Sequence, residues 1–124
     1  MVYFNSATPC FPVADVGATI RWYETELGFT GDPFPADEPF VFGILRRDTV
    51  EIMLQQMVGY QKENLYDLRD GGLWDAYFRI QGVTELFESV KEKLEIVRPL
   101  RKQPYGLLEF EIRDLNGDVL VFSE

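Results

Sequence analysis

The sequence predicts a protein of the α+β class in which one arrangement of strands and a helix occurs twice. A chain of 124 residues has the usual size of a single domain, and a hydrophobic content of 46% is sufficient for one core. Strand-like patterns with a period of two alternate with two helical patterns of apolar residues. The second half also repeats the first after a shift of 67 residues, which superimposes Phe11 on Phe78, Val13 on Ile80, Val16 on Val83, Ile20 on Phe87 and Leu27 on Leu94.

The first half begins with a strand followed by a helix. Residues 7–13 are short, apolar and partly alternating, which predicts a strand. Asp15 can cap a helix at Val16–Leu27, because its side chain can accept a hydrogen bond from the first turn. Gly28 follows the apolar stripe of this helix and predicts its end.

Two or three further strands complete the first half. Residues 30–39 contain three prolines and predict a loop. Residues 40–45 and 50–55 predict strands that are joined by a tight turn at 46–49. The alternative explanation of the internal repeat is a chance match of two helix faces, but both halves continue into paired strands at similar spacing.

The second half repeats this order after a polar stretch. Residues 56–70 lack a clear period and predict a linker or flap. A strand at 75–80 and a helix at 83–94 follow, then two strands whose connection contains Asn116-Gly117, a dipeptide typical of hairpin turns. The predicted last strands cover residues 107–112 and 118–123. The single domain, residues 1–124, thus divides into a module at about 1–56, a linker or flap at about 57–72 and a module at about 73–124.

Composition and charge exclude several classes of partner. The net charge is −9, from 21 acidic and 12 basic residues, whereas nucleic-acid binding depends on Lys and Arg that neutralise phosphates. No apolar run approaches the length of about 18 residues that a membrane span needs. The N-terminal residues do not resemble a secretion signal, and a single cysteine cannot form an internal disulfide. We therefore expect a cytoplasmic protein without nucleic-acid or membrane partners.

The absence of histidine limits the chemistry of the chain. Zinc sites use imidazole and thiolate ligands, and here Cys10 is the only residue of either type. Pairs of histidine with serine or cysteine are equally impossible, so the commonest nucleophilic sites are excluded. A hard cation held by oxygen ligands alone stays open.

Two motifs place the chain near a known superfamily. The first is Pro12-Val13-Ala14-Asp15 before a helix that contains Trp22-Tyr23 and ends in Leu27-Gly28-Phe29. The second is Arg113-Asp114-Leu115-Asn116-Gly117-Asp118 before the last strand, with Leu115 and Asn116 in place of the family's proline and aspartate. On these motifs the chain resembles the glyoxalase, bleomycin-resistance and extradiol dioxygenase superfamily, also called vicinal oxygen chelate proteins.

The resemblance implies two βαβββ modules that form an incomplete, cupped β-barrel with the helices outside and a ligand cavity inside. On that scaffold the period of two separates a helix-facing row from a cavity-facing row. Ile52, Leu54, Phe110 and Phe122 belong to the row beneath the helices. The residues predicted to bind a ligand combine cavity-facing positions with aromatic side chains near them, and none is assigned a catalytic role. They are Phe42, Glu51, Met53, Trp74, Asp75, Tyr77, Tyr105, Glu109, Glu111 and Val121.

The family's metal ligands do not transfer to this chain. In metal-dependent members they lie on the first and last strands of each module, which here correspond to Thr8, Met53, Asp75 and Val121. One carboxylate beside a methionine and a valine does not hold a divalent ion, so neither a metal nor another cofactor is predicted. A register slip of two residues leaves an oxygen-only set open, with Glu51 and Glu124 joining Thr8 and Asp75.

The missing ligands, the negative charge and the aromatic candidates make the chain most similar to the metal-free bleomycin-resistance proteins. The resemblance therefore implies a homodimer that binds or sequesters a flat, cationic small molecule without catalysis, in a cavity or a dimer cleft. The alternative is an enzyme of the same superfamily, a lyase, isomerase or dioxygenase, that uses a hard divalent metal or a carboxylate base. A third possibility is a domain that associates with another protein through its dimer surface.

Overall fold

Eight strands, two α-helices and one short 3₁₀-helix make up the computed structural model, which describes residues 1–124. The chain divides into two compact units, Met1–Gln61 and Lys62–Glu124. The boundary between the units falls inside the predicted linker. That the two units together form one domain stays a prediction. No helix is both long enough and apolar enough to cross a membrane.

The two units contain the same elements in the same order. The first unit has β1 (Cys10–Val13), α1 (Val16–Leu27), β2 (Thr30–Phe34), β3 (Phe42–Arg47) and β4 (Val50–Gln56). The second has a 3₁₀-helix (Tyr66–Leu68), β5 (Ala76–Arg79), α2 (Val83–Val90), β6 (Glu95–Lys102), β7 (Leu108–Arg113) and β8 (Val119–Ser123).

Each unit forms a mixed four-stranded sheet, with strand orders β1-β4-β3-β2 and β5-β8-β7-β6. In both sheets the first strand is parallel to the last one, and the remaining neighbours are antiparallel. The predicted α+β class, with two βαβββ modules, is confirmed. The equal topology also identifies the internal repeat as structural rather than as a chance match.

Helix α1 begins and ends where the sequence predicts. The Asp15 carboxylate accepts a hydrogen bond from the Ala18 amide at 3.0 Å and caps the first turn. Gly28 adopts a left-handed conformation with φ of 68°, and its amide donates to the Tyr23 carbonyl. The Val16 amide donates to the side-chain oxygen of Gln56 at 3.0 Å, which attaches the start of the helix to the end of β4.

Small residues allow α1 to lie close to its sheet. A Cβ atom at Gly31 would lie 2.5 Å from Cγ2 of Ile20, and one at Gly43 would lie 3.0 Å from Cγ1 of Val16. Neither glycine has a positive φ, so contact with the helix rather than backbone conformation requires glycine here. The first unit therefore depends on these two positions for its helix–sheet packing.

We predict that Gly31→Ala lowers the free energy of unfolding by about 1–3 kcal/mol, because the added methyl group overpacks a close contact. Chemical denaturation followed by far-UV circular dichroism measures the loss. In an Ile20→Ala background the obstructing Cγ atoms are absent, so the same substitution should cost much less. Equal costs in the two backgrounds would contradict the packing argument.

A row of aromatic rings connects the second sheet to α2. The ring centroids of Phe87 and Phe110 are 5.2 Å apart, those of Phe110 and Phe122 are 5.2 Å apart, and those of Phe122 and Phe78 are 5.4 Å apart. Because Phe87 belongs to α2, the row fixes which face of the sheet the helix covers. The predicted helix-facing positions Phe110 and Phe122 are confirmed.

The largest errors of the sequence prediction are two edge strands. The predicted loop at 30–39 contains β2, and the predicted helix at 83–94 ends at Val90, after which β6 forms from residues assigned to no strand. Both are edge strands, and each contains a proline, Pro33 or Pro99. An edge strand tolerates proline because one side of its backbone needs no partner, so the residue that indicated a loop does not exclude a strand.

Candidate functional site

Cross-strand pairing defines the face of the second sheet that points away from α2. Residues directly opposite one another in a sheet project to the same face. Val121 lies opposite both Tyr77 and Glu111, and Ser123 lies opposite both Arg79 and Glu109. These residues alternate with the phenylalanines beneath the helix, so they share the other face. Three of the predicted ligand-binding residues are therefore side by side with Glu109 on one surface.

Glu109 is the centre of a group of four predicted residues, which we call the Glu109 cluster: Trp74, Tyr77, Tyr105 and Glu109. The Tyr105 hydroxyl donates a hydrogen bond of 2.5 Å to Oε1 of Glu109, and the Tyr77 hydroxyl donates to Oε2. The rings of Trp74 and Tyr77 lie 5.4 Å apart and are tilted by 50°. Glu109 is only 5% exposed, whereas Trp74 is 51% and Tyr105 is 63% exposed. The cluster thus surrounds a buried carboxylate with accessible aromatic surface.

A tight turn positions Tyr105 above Glu109. Between β6 and β7 the Gly106 amide donates to the Gln103 carbonyl at 2.9 Å, and the Gln103 amide donates to the Leu107 carbonyl at 2.8 Å. Gly106 has a φ of 97°, a left-handed conformation that favours glycine. The turn brings the Tyr105 side chain back over its own hairpin, where it reaches a carboxylate four residues later.

Both tyrosines of the cluster are held in their protonated form. Desolvation of the hydroxyl group, followed by the hydrogen bond to Glu109, raises the pKa of both Tyr77 and Tyr105 above its ordinary value, although most of the Tyr105 side chain is exposed. The tyrosines are therefore hydrogen-bond donors at neutral pH rather than bases. Arg79 lies 5.6 Å from the centre of the Tyr77 ring, which shows that this ring accepts a cation against its face.

Asp75 is held by the backbone of β8 and by a lysine that the sequence did not indicate. Its Oδ2 accepts the Val119 amide at 2.8 Å, and its Oδ1 accepts Nζ of Lys62 at 2.7 Å. The same ammonium group lies 3.9 Å from Oδ1 of Asp118. Lys62 therefore shares its charge between two carboxylates of the second unit.

Asp118 is a buried acid with an unsatisfied oxygen. It is 3% exposed, and its Oδ2 has no hydrogen-bond partner. Burial, the neighbouring Asp114 and then Asp75 raise the pKa of Asp118 to about 7, although Lys62 opposes this rise. Such a group costs free energy whenever it ionises in the folded protein.

Glu111 is covered by a tyrosine from the segment before β5. The Tyr66 hydroxyl donates to Oε1 of Glu111 at 2.7 Å and accepts a hydrogen bond of 2.8 Å from Nε of Arg98. The guanidinium of Arg113 lies 5.5 Å from the centre of the Tyr66 ring. Glu111 is buried beneath these groups, so a ligand reaches it only if Tyr66 moves.

The three candidates of the first unit do not form a comparable group. Glu51 pairs with Arg46 at 2.7 Å, and Arg46 also contacts Asp32 at 3.1 Å, an exposed set of charges that contributes little stability. Met53 and Phe42 are half-buried on β4 and β3. A surface recess of about 450 Å³ in this unit contains none of the ten candidates. Its lining is formed by Ala14, Asp15, Glu38, Pro39, Phe40 and Gln56.

Val121 is fully buried at the centre of its sheet and has the least surface of the ten candidates for contact with a ligand. Four contributors that the sequence analysis missed are Lys62, Tyr66, Arg98 and Asp118. Two of them lie in a polar stretch without periodicity, and Arg98 lies in the unpredicted strand β6. Only Asp118 carried a signal, since it closes the second family motif.

Solved structures with the same architecture identify the fold. The TioX protein of Micromonospora is 20% identical, with a TM-score of 0.73 over 96% of this chain and 94% of that one. A bleomycin-binding protein of Streptomyces verticillus, solved with copper(II)-bleomycin, is 22% identical, with a TM-score of 0.70 over 98% and 97% of the two chains. A glyoxalase-related enzyme of Clostridium phytofermentans is 20% identical, with a TM-score of 0.76 over 99% and 96%. The chain has the vicinal oxygen chelate fold. No protein-family model and no curated protein sequence matches it.

The four positions to which the resemblance transfers the family's metal ligands hold residues that do not fit a divalent ion. Thr8 and Met53 offer a hydroxyl and a thioether, and Val121 offers no donor. Both oxygens of Asp75 already accept hydrogen bonds. Cys10 is an exposed free thiol, and no three acidic, cysteine or histidine side chains come together in an arrangement that could hold a metal.

Proposed function

We propose that this protein binds a flat, cationic small molecule without transforming it, and that the Glu109 cluster is the centre of recognition. The observation that carries the proposal is the buried Glu109 carboxylate, which accepts hydrogen bonds from Tyr77 and Tyr105, next to the exposed Trp74 ring that packs against Tyr77. Aromatic faces supply contact area with a defined orientation, and they attract cations. A carboxylate at the same place adds selectivity for positive charge.

Glu109 differs from the other acidic candidates because its hydrogen bonds come from neutral groups. Glu51 is paired with Arg46, and Asp75 is paired with Lys62. Glu109 takes part in no ion pair of the structure, although Arg101 lies opposite it in the β6–β7 register. Its charge is therefore the one that a bound cation would neutralise most effectively.

The similar structures support the chemical class of this ligand. One of them is a bleomycin-binding protein in complex with copper(II)-bleomycin, and another is a bleomycin resistance determinant encoded on the transposon Tn5, with a TM-score of 0.72 at 21% identity. A shared fold does not by itself transfer a ligand, so the site must carry the argument. We therefore propose sequestration of an antibiotic-like compound from the properties of the Glu109 cluster, with the fold as additional support.

A fluorescence titration tests this function. Copper(II)-bleomycin and a planar acridinium dye are added to the protein. Quenching of Trp74 emission reports binding where Trp74 is present, and the fluorescence anisotropy of the dye reports binding to Trp74→Ala, which lacks that tryptophan. Trp74→Ala and Glu109→Gln should each weaken binding about tenfold, because one removes a cation-attracting ring and the other removes the charge.

Matched controls separate these effects from general ones. Trp22→Phe removes the other tryptophan, which belongs to α1, and should leave affinity unchanged; Glu92→Gln makes the same charge change at an exposed position. A neutral planar compound should bind Glu109→Gln and the unmodified protein equally. Absence of binding for every cationic compound would refute the proposed function.

The second candidate is an enzyme of the same fold, favoured by one observation, the pairing of a carboxylate with two hydroxyl donors. Glu109 would then be a general base and Tyr77 or Tyr105 a proton donor. The raised pKa values of the tyrosines make them weak acids, which supports binding instead. Metal analysis tests the metal-dependent version, since stoichiometric divalent metal that is lost in Asp75→Ala would favour an enzyme.

The proposal extends to a homodimer in the cytoplasm. The resemblance to bleomycin-resistance proteins implies a dimer whose cleft contributes to binding. Light scattering at the concentrations of the titration measures the mass directly, and a monomer that still binds the dye would separate recognition from dimerisation.

A further inference from the structure

Residues 62–72, which we call the strap, contact three acidic residues of the second unit: Glu111, on the same sheet face as Glu109, and Asp75 and Asp118, which directly precede β5 and β8. Lys62 binds Asp75 at 2.7 Å and lies 3.9 Å from Asp118. Tyr66 binds Glu111 at 2.7 Å. The strap thus presents an ammonium group to two carboxyl groups and a tyrosine hydroxyl group to a third, and the ammonium group is the feature that it shares with the proposed ligand.

The strap is attached to the unit by side chains rather than by backbone pairing. Its backbone hydrogen bonds are local, from Leu65 to Glu63, from Leu68 to Leu65 and from Gly72 to Arg69. The 3₁₀-helix within it has no buried residue. Segments with few buried contacts and no ladder bonds open at low free-energy cost.

Three polar side chains contribute to the attachment. Besides Lys62 and Tyr66, the Asn64 side-chain oxygen accepts a hydrogen bond of 3.3 Å from Arg113. A Cβ atom at Gly72 would lie 2.3 Å from the Tyr66 ring, so the strap folds back tightly on that ring. Removing one polar contact should therefore weaken much of the attachment.

The strap leaves part of the acidic face unsatisfied. Asp118 is nearly completely buried, yet its Oδ2 has no partner, and the Lys62 ammonium is 3.9 Å from the other oxygen. A cation seated more deeply, with several donors, would satisfy an acceptor that Lys62 leaves open. This unpartnered oxygen is the observation that points to a further donor group at the site.

We infer that the strap is an internal ligand, and that an aromatic compound with an ammonium or guanidinium group binds to Asp75, Glu111 and Asp118 by displacing it. This inference rests on the proposed binding function and names a second part of the same face. The apparent affinity for the ligand is the intrinsic affinity multiplied by the fraction of molecules in which the strap is open, so a strap that is mostly closed weakens binding.

Two variants test the displacement. Lys62→Met removes the internal cation, and Tyr66→Phe removes the hydroxyl group without changing charge. Each should accelerate amide hydrogen exchange in peptides from the strap at least about tenfold, while peptides from β8 keep their rate. Each should also tighten binding of the acridinium dye by about three- to tenfold, because the ligand no longer competes with a closed strap.

Controls identify the cause of any change. Lys93→Met alters the net charge as Lys62→Met does, and Tyr3→Phe repeats the loss of a hydroxyl at an exposed position; neither residue belongs to the strap. Faster exchange together with tighter dye binding in both strap variants supports the inference. Dye binding by the unmodified protein that is equal or weaker in both variants overturns the inference alone. No dye binding by any of the proteins overturns the proposed function as well.

Discussion

Replacing Phe110 by alanine is expected to lower the free energy of unfolding by about 3–5 kcal/mol, among the largest effects of any single substitution in this chain. Phe110 is fully buried, and its ring lies 5.2 Å from the rings of both Phe87 and Phe122. It belongs to β7, which is paired on both sides by β6 and β8. These ladders prevent the strand from moving to fill the space, so most of the cavity should remain.

The measurement is chemical denaturation of the purified variant, followed by circular dichroism. Phe4→Ala is the matched control, because it deletes the same atoms from a residue that is 89% exposed, and it should change stability by less than about 0.5 kcal/mol. Similar losses in the two variants would contradict the assignment of the aromatic row as the core beneath α2.

The sequence predicts well the strands and helices that contribute side chains to the buried core, such as the aromatic row around Phe110. In β7 and β8 apolar and polar positions alternate or run continuously, and both helices have clear apolar stripes, so burial itself creates the pattern. The edge strands β2 and β6 lack this pattern because they are only partly buried. Pro33 and Pro99 then suggest loops, although an edge strand accommodates both.

The candidate site likewise contains residues that the local sequence predicts and residues that it does not. Alternation on β7 places Glu109 and Glu111 on one face, and period two on β5 places Tyr77 beside them, so these candidates are recognisable from local sequence. The residues that form hydrogen bonds with these candidates are not recognisable from local sequence. Tyr66 lies 45 positions from Glu111, and the segment around it has no period that would indicate its direction. Contacts of this kind depend on how the chain returns to the sheet, which no local pattern encodes.

The strap also changes how the acidic face should be interpreted. From composition, a net charge of −9 is a weak indication of a cationic ligand, because surface acidity is also simply solubilising. In the structure the charge has a position, since Asp75, Glu111 and Asp118 lie beneath one lysine and one tyrosine of a single segment. Glu109 lies beside them with only hydroxyl donors. The favoured ligand therefore has to supply positive charge and aromatic surface together.

Replacing Asp118 by asparagine should stabilise the protein at pH 8 by on the order of 2–4 kcal/mol and should have little effect at pH 4. The pKa of Asp118 is raised from 3.8 to about 7 in the folded protein. Between these values the folded protein keeps a proton that the unfolded chain has lost, so this group's contribution to stability falls as the pH rises from about 4 to about 7. Asparagine cannot ionise and removes that fall.

The charged groups around Asp118 determine a second expected result. Asp114 and Asp75 disfavour its ionisation, whereas Lys62 favours it. Without Lys62 the ionised form has no compensating cation, so Asp118→Asn should stabilise a Lys62→Met protein at pH 8 by more than it stabilises the unmodified protein. Denaturation of the four proteins across pH 4–8 measures both effects, with Asp37→Asn, at an exposed loop position, as the control. A stabilisation that is independent of pH would show that Asp118 is not the ionising group, whereas a gain equal in the two backgrounds would show that the strap lysine does not govern it.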